Sequence, residues 1–258
     1  MEKKVLFVVE GARVESSFFR HLAEVFSLNF EIYYLGTNIY SLYKKLKEMD
    51  FMANIKDVLA EMHPEQKSVL SKSFAYTYLI FDCDAHHSKK NENRNIQEIV
   101  ADNFAKLKEM AAFFIDETDP TIGKLYINYP MMESFRDCDD FFDNGYENAT
   151  IKIEKINNYK QIVKNKKLCN KHPDNFSKNN FESLVLQNIF KLNKLSSNVW
   201  GKPTYQTYLE ESQSSEVLKK EKALVDKQRI LSVLNTSLLI IADYFGNTRG
   251  FYDSLKVS

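Results

Sequence analysis

Residues 5–9 of this 258-residue chain are five consecutive apolar residues, VLFVV, and they constrain its fold more than any other feature. The run is bulky, rich in valine and uninterrupted by polar residues, which is typical of a strand buried on both faces. Such strands occur in parallel sheets that are covered by helices. Glu10 follows the run directly, and a carboxylate at the end of a buried strand lies against a low-dielectric interior. What Glu10 faces is therefore the first question that the sequence raises.

The first 150 residues alternate between strand-like and helix-like segments. In chain order, the pattern predicts a strand at 5–9, a helix at 12–26, a strand at 30–36, a long helical region at 38–62, a strand at 74–81, a helix at 95–114 and a strand at 123–130. This alternation is typical of parallel strands joined by helices. We therefore expect residues 1–150 to form an α/β domain with a Rossmann-like parallel sheet of about four strands, flanked by helices.

Beyond residue 150 the composition changes and the strand signals stop. Residues 151–178 contain eight lysines and two acids, and residues 179–195 and 216–255 are predicted to be helices without strand partners. The apolar stripe along the helix at 179–195 is expected either in a core or in the interface of a homo-oligomer. Residues 151–258 are therefore predicted to form a helical C-terminal extension.

Charge, cysteine content and hydropathy narrow the class of protein. Lysine plus arginine and aspartate plus glutamate both total 35, so no net charge draws the chain to nucleic acid or to a membrane. The three cysteines show no C-x-x-C spacing, which indicates a reduced, cytoplasmic protein. The most apolar late stretch, residues 230–245, is interrupted by polar residues and is too short for a membrane span. We expect a cytoplasmic protein with no membrane partner.

A second hydrophobic strand also ends in acids, because Asp82 and Asp84 follow the strand predicted at 74–81. If the chain stays extended through this pair, both carboxylates project to the same face, since strand side chains alternate. Ligands of parallel sheets bind outside the carboxyl ends of the strands, where both Glu10 and this pair are expected. If the two strands are close together, at least three carboxylates converge on one crevice.

Three convergent carboxylates need a cation or a shared proton. Two like charges about 4 Å apart repel by about 4 kcal/mol at an effective dielectric constant near 20. Oxygen ligands suit Mg²⁺ or Mn²⁺, which also bind phosphate oxygens. The chemistry indicated is metal-assisted phosphoryl transfer or phosphodiester hydrolysis.

Each acid also has a simpler explanation. Asp82 and Asp84 could stand in a solvated turn, and Glu10 could lie at a helix N-terminus, where the helix dipole favours an acid. On its own, Glu15 is a solvated side chain of the first predicted helix, and Glu133 is a first-turn helix acid. The conjunction of acids at two strand ends favours the functional interpretation.

The segments VLFVVEGARVESSFF and YLIFDCD together resemble the TOPRIM domain of topoisomerases, bacterial primases and the OLD and RloB-type nucleases. That family carries a glutamate after its first strand and a D-x-D pair after its third, which bind Mg²⁺, and Glu10, Asp82 and Asp84 match these positions. The nuclease branch has a second glutamate five residues on, matched by Glu15, and a P-x-x-E segment after the fourth strand, matched by Glu133. The resemblance covers about the first 140 residues. It implies that Glu10, Asp82 and Asp84 are catalytic and that all five acids are metal ligands.

The resemblance implies a divalent-metal-dependent nuclease that cleaves DNA or RNA, similar to the stand-alone effectors of bacterial defence against phage. The sequence contains no G-x-x-x-x-G-K-[ST] segment, so an ATPase like the one that accompanies OLD nucleases would act in trans. The main alternative is a non-catalytic TOPRIM-fold subunit that senses a nucleotide or nucleic acid. A further alternative is a phosphatase with an aspartate nucleophile, but its D-x-D pair usually follows the first strand.

The lysine-rich stretch is the candidate nucleic-acid contact. Lys164, Lys166 and Lys167 would meet backbone phosphates, and Tyr159 and Phe176 would stack against bases. The simpler interpretation is a solvated face, which is what most lysine-rich stretches are.

Overall fold

A computed structural model describes residues 3–88, 94–246 and 250–256. The strands of these residues are β1 (Lys4–Val9), β2 (Asn29–Tyr34), β3 (Tyr76–Asp82), β4 (Ile115–Asp116), β5 (Gly123–Asn128), β6 (Thr150–Lys152) and β7 (Ile230–Ser232). Their α-helices are α1 (Val14–Val25), α2 (Ile39–Glu48), α3 (Ile55–Met62), α4 (Lys67–Leu70), α5 (Ile96–Phe113), α6 (Tyr159–Val163), α7 (Lys178–Ser197), α8 (Tyr205–Glu211), α9 (Ser214–Gln228), α10 (Leu239–Gly246) and α11 (Phe251–Ser254).

The chain is an α/β protein built on a mostly parallel five-stranded sheet with the strand order β2-β1-β3-β5-β4. β1 pairs in parallel with β2 and with β3, and Val9 stands opposite Tyr34 on one side and Ile80 on the other. The short β4 is antiparallel to β5. The predicted parallel, helix-flanked sheet is confirmed. β4 was not predicted, because a strand of two residues shows no periodicity.

The opening apolar run is the centre of this sheet. All residues from Val5 to Val9 are completely buried, as a strand with neighbours on both sides requires. Phe7 stacks on Tyr78 of β3 with 6.0 Å between the ring centroids, and it lies 5.5 Å from Phe19 of α1. The predicted apolar face of α1 is therefore core, except for Val14, which is 54% exposed at the start of the helix.

Packing divides the chain into two compact units. The first comprises the chain up to Asp82 together with Lys106–Tyr126. The second comprises Cys83–Ala105 and the chain from Ile127 onward. This division follows contacts between residues, and the predicted organisation into a catalytic domain at 1–150 and an extension at 151–258 stays a prediction.

The long helical region predicted at 38–62 consists of two helices, because residues 49–54 separate α2 from α3. Asp50 and Phe51 both have a positive φ, of 49° and 55°, which a right-handed helix does not contain. Asn54 then caps α3 by accepting a hydrogen bond from the Lys56 backbone N–H at 2.9 Å. Asn54 is a typical N-cap residue, so the sequence did carry a signal for the second start.

The prediction that 216–255 lacks strands is wrong, because β7 lies within it. Residues 247–249 of this range lie outside the described part of the chain. β7 pairs with β6 in an antiparallel arrangement that places Leu231 opposite Ile151. It starts directly after Arg229, which ends α9 in the left-handed conformation with a φ of 58°. In the second unit, α7 buries Phe181, Leu184 and other apolar residues completely, so its apolar stripe is core.

Lys191 and Glu221 are ionisable side chains that lie buried in the second unit. The Lys191 ammonium donates hydrogen bonds to three backbone carbonyl oxygens of residues 146–149 at 2.8–2.9 Å, and burial lowers its pKa to about 8. The Glu221 side chain is completely buried and accepts a hydrogen bond from the Ser232 backbone N–H at 2.9 Å. Burial raises the pKa of Glu221 to about 8.

Glu221→Gln should stabilise the chain by an amount that grows as the pH rises above 4.5. Because the folded chain raises the pKa of Glu221 from 4.5 to about 8, the folded state binds more protons and loses stability as the pH rises between these values. At pH 9, Lys191 is largely neutral and does not offset the buried carboxylate. Thermal melts should agree within about 2 °C near pH 4.5, and the variant should melt at least about 4 °C higher at pH 9. A difference that does not change with pH would contradict this assignment.

Candidate functional site

Glu10 and Asp82 flank the point at which the strand order of the sheet reverses. From β1 the chain moves to β2 on one side and then crosses to β3 on the other, so the switch point lies between the carboxyl ends of β1 and β3. Ligands of open parallel sheets bind at such a point. Glu10 follows β1, Asp82 ends β3, and neighbouring strands are about 4.8 Å apart. The expected closeness of the two strands is confirmed, and the convergence of all the carboxylates stays a prediction.

The backbone of Glu10 is fixed by the neighbouring strand. Its carbonyl oxygen accepts a hydrogen bond from the Gly36 N–H at 2.9 Å, and the Leu35 N–H donates to Val9 in the same way at 2.8 Å. Gly36 has a φ of 67°, which a glycine adopts without strain. The ladder between β1 and β2 therefore continues past the strand ends and holds Glu10 at the edge of the sheet.

Glu15 lies against the turn that follows Glu10. A Cβ atom on Gly11 would overlap the Glu15 carboxylate, so the glycine provides the space that this side chain occupies. The Ser16 hydroxyl donates a hydrogen bond to the Gly11 carbonyl oxygen at 3.0 Å and closes the turn. The structure therefore brings Glu15 next to the residue that follows Glu10, as the spacing of the two motif glutamates requires.

Asp84 does not continue the strand that Asp82 ends. The Cys83 N–H still donates to the Asn128 carbonyl oxygen at 3.0 Å, but Asp84 has a φ of 38° and its carbonyl oxygen accepts from the His87 N–H at 2.7 Å in a turn. The extended chain on which the predicted common face of the two aspartates depended is therefore absent at Asp84, so the condition of that prediction is not met. A turn directly after a strand carries no periodic signal.

In the second unit, Asp84 interacts with four titratable side chains, which are His86, His87, Glu133 and Lys160. Burial raises the pKa of the Asp84 carboxyl, the histidines and Lys160 act in the opposite direction, and Glu133 adds to the rise. Burial also lowers the pKa of His86, whose ring is hydrogen-bonded to Asn157.

Glu133 is on the 3₁₀ helix Met132–Arg136, which follows β5. Its Oε1 atom lies 2.8 Å from the Lys160 ammonium on α6. Its Oε2 atom is buried and has no hydrogen-bond partner among the described residues. The sequence did not identify Lys160, because a pairing between distant segments leaves no local pattern and Lys160 stands among eight lysines of the same stretch. His86 follows Asp84 by two residues, but its burial beside that carboxyl is not visible in the sequence.

The lysine-rich stretch differs in part from its prediction. Lys164 and Lys167 are exposed, whereas Lys166 lies 3.6 Å from Asp137 in an ion pair. Tyr159 and Phe176 are 1% and 3% exposed, so the prediction that they stack on bases is wrong. The stretch folds into short helical turns whose apolar residues fill the core of the second unit, and the lysines between them remain outside.

Two features are absent from the described residues. Among them, no group of three or more His, Cys, Asp and Glu side chains stands in an arrangement that could hold a metal ion. Across the same residues, no helix combines the length and apolarity that crossing a membrane requires. Comparisons of the chain with protein-family models, curated proteins and solved structures found no match.

Asp84→Asn should stabilise the metal-free chain at neutral pH. Because burial raises the pKa of Asp84, its ionised form costs stability, and this cost grows as the pH rises through the pKa of the folded chain. We expect the variant to melt about 2–4 °C higher at pH 7.5, the shift that about 1 kcal/mol causes in a chain of this size. The gain should shrink towards pH 4.

The control for this measurement is Asp140→Asn, because the Asp140 side chain is 72% exposed. It should not change the melting temperature at either pH. A lower melting temperature of Asp84→Asn at pH 7.5 would show instead that the fold uses this charge.

Proposed function

We propose that the chain is a divalent-metal-dependent nuclease that cleaves phosphodiester bonds of DNA or RNA in bacterial defence against phage. The observation that carries the proposal is the position of Glu10 and Asp82 on either side of the switch point between β1 and β3. The TOPRIM resemblance supplies the reaction class. Support for it comes from the order of the motif acids along the chain. It also comes from the places of Glu10 and Asp82 at the ends of two parallel neighbouring strands.

The acids of the first unit suit Mg²⁺ or Mn²⁺ by their chemistry. Glu10, Glu15 and Asp82 offer only oxygen donors, and Glu15 lies against the turn after Glu10. Mg²⁺ keeps several waters and is usually held by one or two carboxylates together with substrate phosphates, so a closed cage of protein ligands is not needed. Once bound, the ion would polarise a phosphoryl oxygen and lower the pKa of a bound water. Glu10 is the candidate to orient that water or to accept its proton.

Asp84 and Glu133 are the further metal ligands of the proposal. In the second unit, the Lys160 ammonium lies 2.8 Å from Glu133 and balances part of the negative charge of this group of side chains. A lysine in such a position would also attract the phosphate of a substrate. The proposed ATPase in trans and the phage-related role rest on the resemblance alone.

Asp82→Ala should abolish both metal binding and cleavage. Calorimetric titration of the wild type with Mn²⁺ should show binding that the variant lacks, and incubation with plasmid, single-stranded DNA and RNA in Mg²⁺ should show cleavage of one class. We expect Asp82→Ala and Glu10→Gln to slow cleavage at least about 100-fold, which corresponds to about 2.7 kcal/mol of transition-state stabilisation.

The control is Asp57→Ala, which removes an exposed carboxylate from α3 of the same unit. Full metal binding and cleavage by Asp82→Ala would remove the proposed site. Nucleic-acid binding by the wild type with no cleavage in Mg²⁺ or Mn²⁺ would favour the alternative of a sensing subunit.

Lys164→Glu/Lys167→Glu should weaken nucleic-acid binding. Both side chains are exposed, whereas Lys166 is omitted because its replacement would also break the pair with Asp137. Loss of two phosphate contacts should flatten the dependence of log K on log salt by about 1.4–1.8. The control Lys67→Glu/Lys108→Glu carries the same net charge on exposed positions elsewhere. Equal salt slopes of the two double variants would mean that the stretch is a solvated face.

A further inference from the structure

The segment after β7 is bonded to the segment that leads from β5 to Glu133. Tyr129 and Leu234 exchange two backbone hydrogen bonds of 2.8 Å. The Thr236 hydroxyl donates to the Ile127 carbonyl oxygen at 2.8 Å. The backbone N–H of the next residue, Ser237, donates to the side-chain oxygen of a buried asparagine of β5 at 3.2 Å. Residues 234–237 thus lie alongside the end of β5 and the residues that come directly after it.

Asn235 is the centre of this contact and is completely buried. Its side-chain Nδ2 donates to the Met132 carbonyl oxygen at 2.8 Å. Its Oδ1 accepts from the Ser237 hydroxyl at 2.6 Å and from the Leu238 N–H at 3.3 Å. Its backbone N–H donates to the Asn188 side chain at 2.8 Å. The two donors at Oδ1 fix the orientation of the amide, so that Nδ2 must face Met132.

The Met132 carbonyl belongs to the peptide bond that connects Met132 to Glu133. Asn235 therefore holds the peptide plane immediately before Glu133. The 3₁₀ helix Met132–Arg136 is only five residues long and has no side-chain cap at its start. A 3₁₀ helix of this length has few internal hydrogen bonds, so its position depends on contacts from outside.

We propose that Asn235, oriented by Ser237, is a positioning residue that sets the backbone of Glu133. The C-terminal segment thereby positions one of the proposed metal ligands, although it carries none of the motif acids. This inference rests on the proposed function, in which Glu133 is a metal ligand. A buried asparagine that only stabilises the core would lower the free energy of unfolding without a local effect on Glu133.

The test compares Asn235→Ala with Asn193→Ala. Asn193 is also buried, and its amide donates to the Gly201 carbonyl oxygen at 2.9 Å and accepts from the Ser197 hydroxyl at 2.8 Å. Amide hydrogen exchange of residues 131–136 should become at least about tenfold faster in Asn235→Ala, since a buried hydrogen bond of that segment is lost, and should not change in Asn193→Ala. The kcat of cleavage should fall only in Asn235→Ala, with KM unchanged.

Ser237→Ala is the milder variant if Asn235→Ala does not fold. It removes the hydroxyl that orients the amide, and it should give the same local exchange effect to a smaller extent. Equal exchange of residues 131–136 in the Asn235 and Asn193 variants would overturn the positioning role, as would faster exchange with an unchanged kcat. A wild type that neither cleaves nor binds metal would overturn the proposed function, whereas faster exchange confined to residues 131–136 in Asn235→Ala would still show that Asn235 holds the backbone before Glu133. Exchange and activity therefore separate the two failures.

Discussion

Burial of β1 is the constraint on which the sheet depends. A strand of completely buried residues between two parallel neighbours can form its backbone hydrogen bonds only within the sheet, and its side chains can only be apolar. Towards the carboxyl end, the first position that can carry a polar group after the buried residues 5–9 is therefore Glu10. In β3, the buried apolar residues 78–81 are followed in the same way by Asp82. The chemistry of the first unit is thus confined to the edge of the sheet by the requirements of its interior.

The sequence predicted well those elements whose burial leaves a pattern of apolar residues within one continuous segment. Strands such as β1 and helices such as α1 reveal themselves because their apolar residues repeat with the period of the structure. Alternation of such segments was enough for the α/β class and the parallel sheet. The sequence did not predict that β1 lies beside β3, and the site prediction had to assume it. Which strands are neighbours depends on contacts between segments far apart in the chain.

The features that the sequence did not reveal depend on contacts or turns that leave no periodic pattern within one segment. Tyr159 and Phe176 stand among lysines, and a count of charges cannot show that these rings point inward while the lysines point outward. The positive φ of Asp84 arises in a turn after β3, where no periodic pattern exists. Asn235 is one of the polar residues that interrupt the apolar stretch at 230–245, and its side chain reaches the segment before Glu133. The role of a polar residue within an apolar run therefore becomes clear only from the groups with which it forms hydrogen bonds in the folded chain.

Three buried or half-buried charged side chains of the second unit, Lys191, Glu221 and Glu133, are each accommodated differently. Lys191 has three carbonyl acceptors for its three protons, so it needs nothing further. Burial raises the pKa of Glu221 to about 8, so this group is largely protonated at neutral pH. Glu133 has Lys160 at one oxygen, while its other oxygen is buried without a hydrogen-bond partner among the described residues. Buried acceptors are normally satisfied in folded proteins, and exceptions concentrate at sites of function. By this criterion Lys191 is explained by the fold alone. The Oε1 atom of Glu221 is also buried without a hydrogen-bond partner among the described residues, but burial keeps this group largely protonated at neutral pH. Glu133 retains an acceptor that a cation could use.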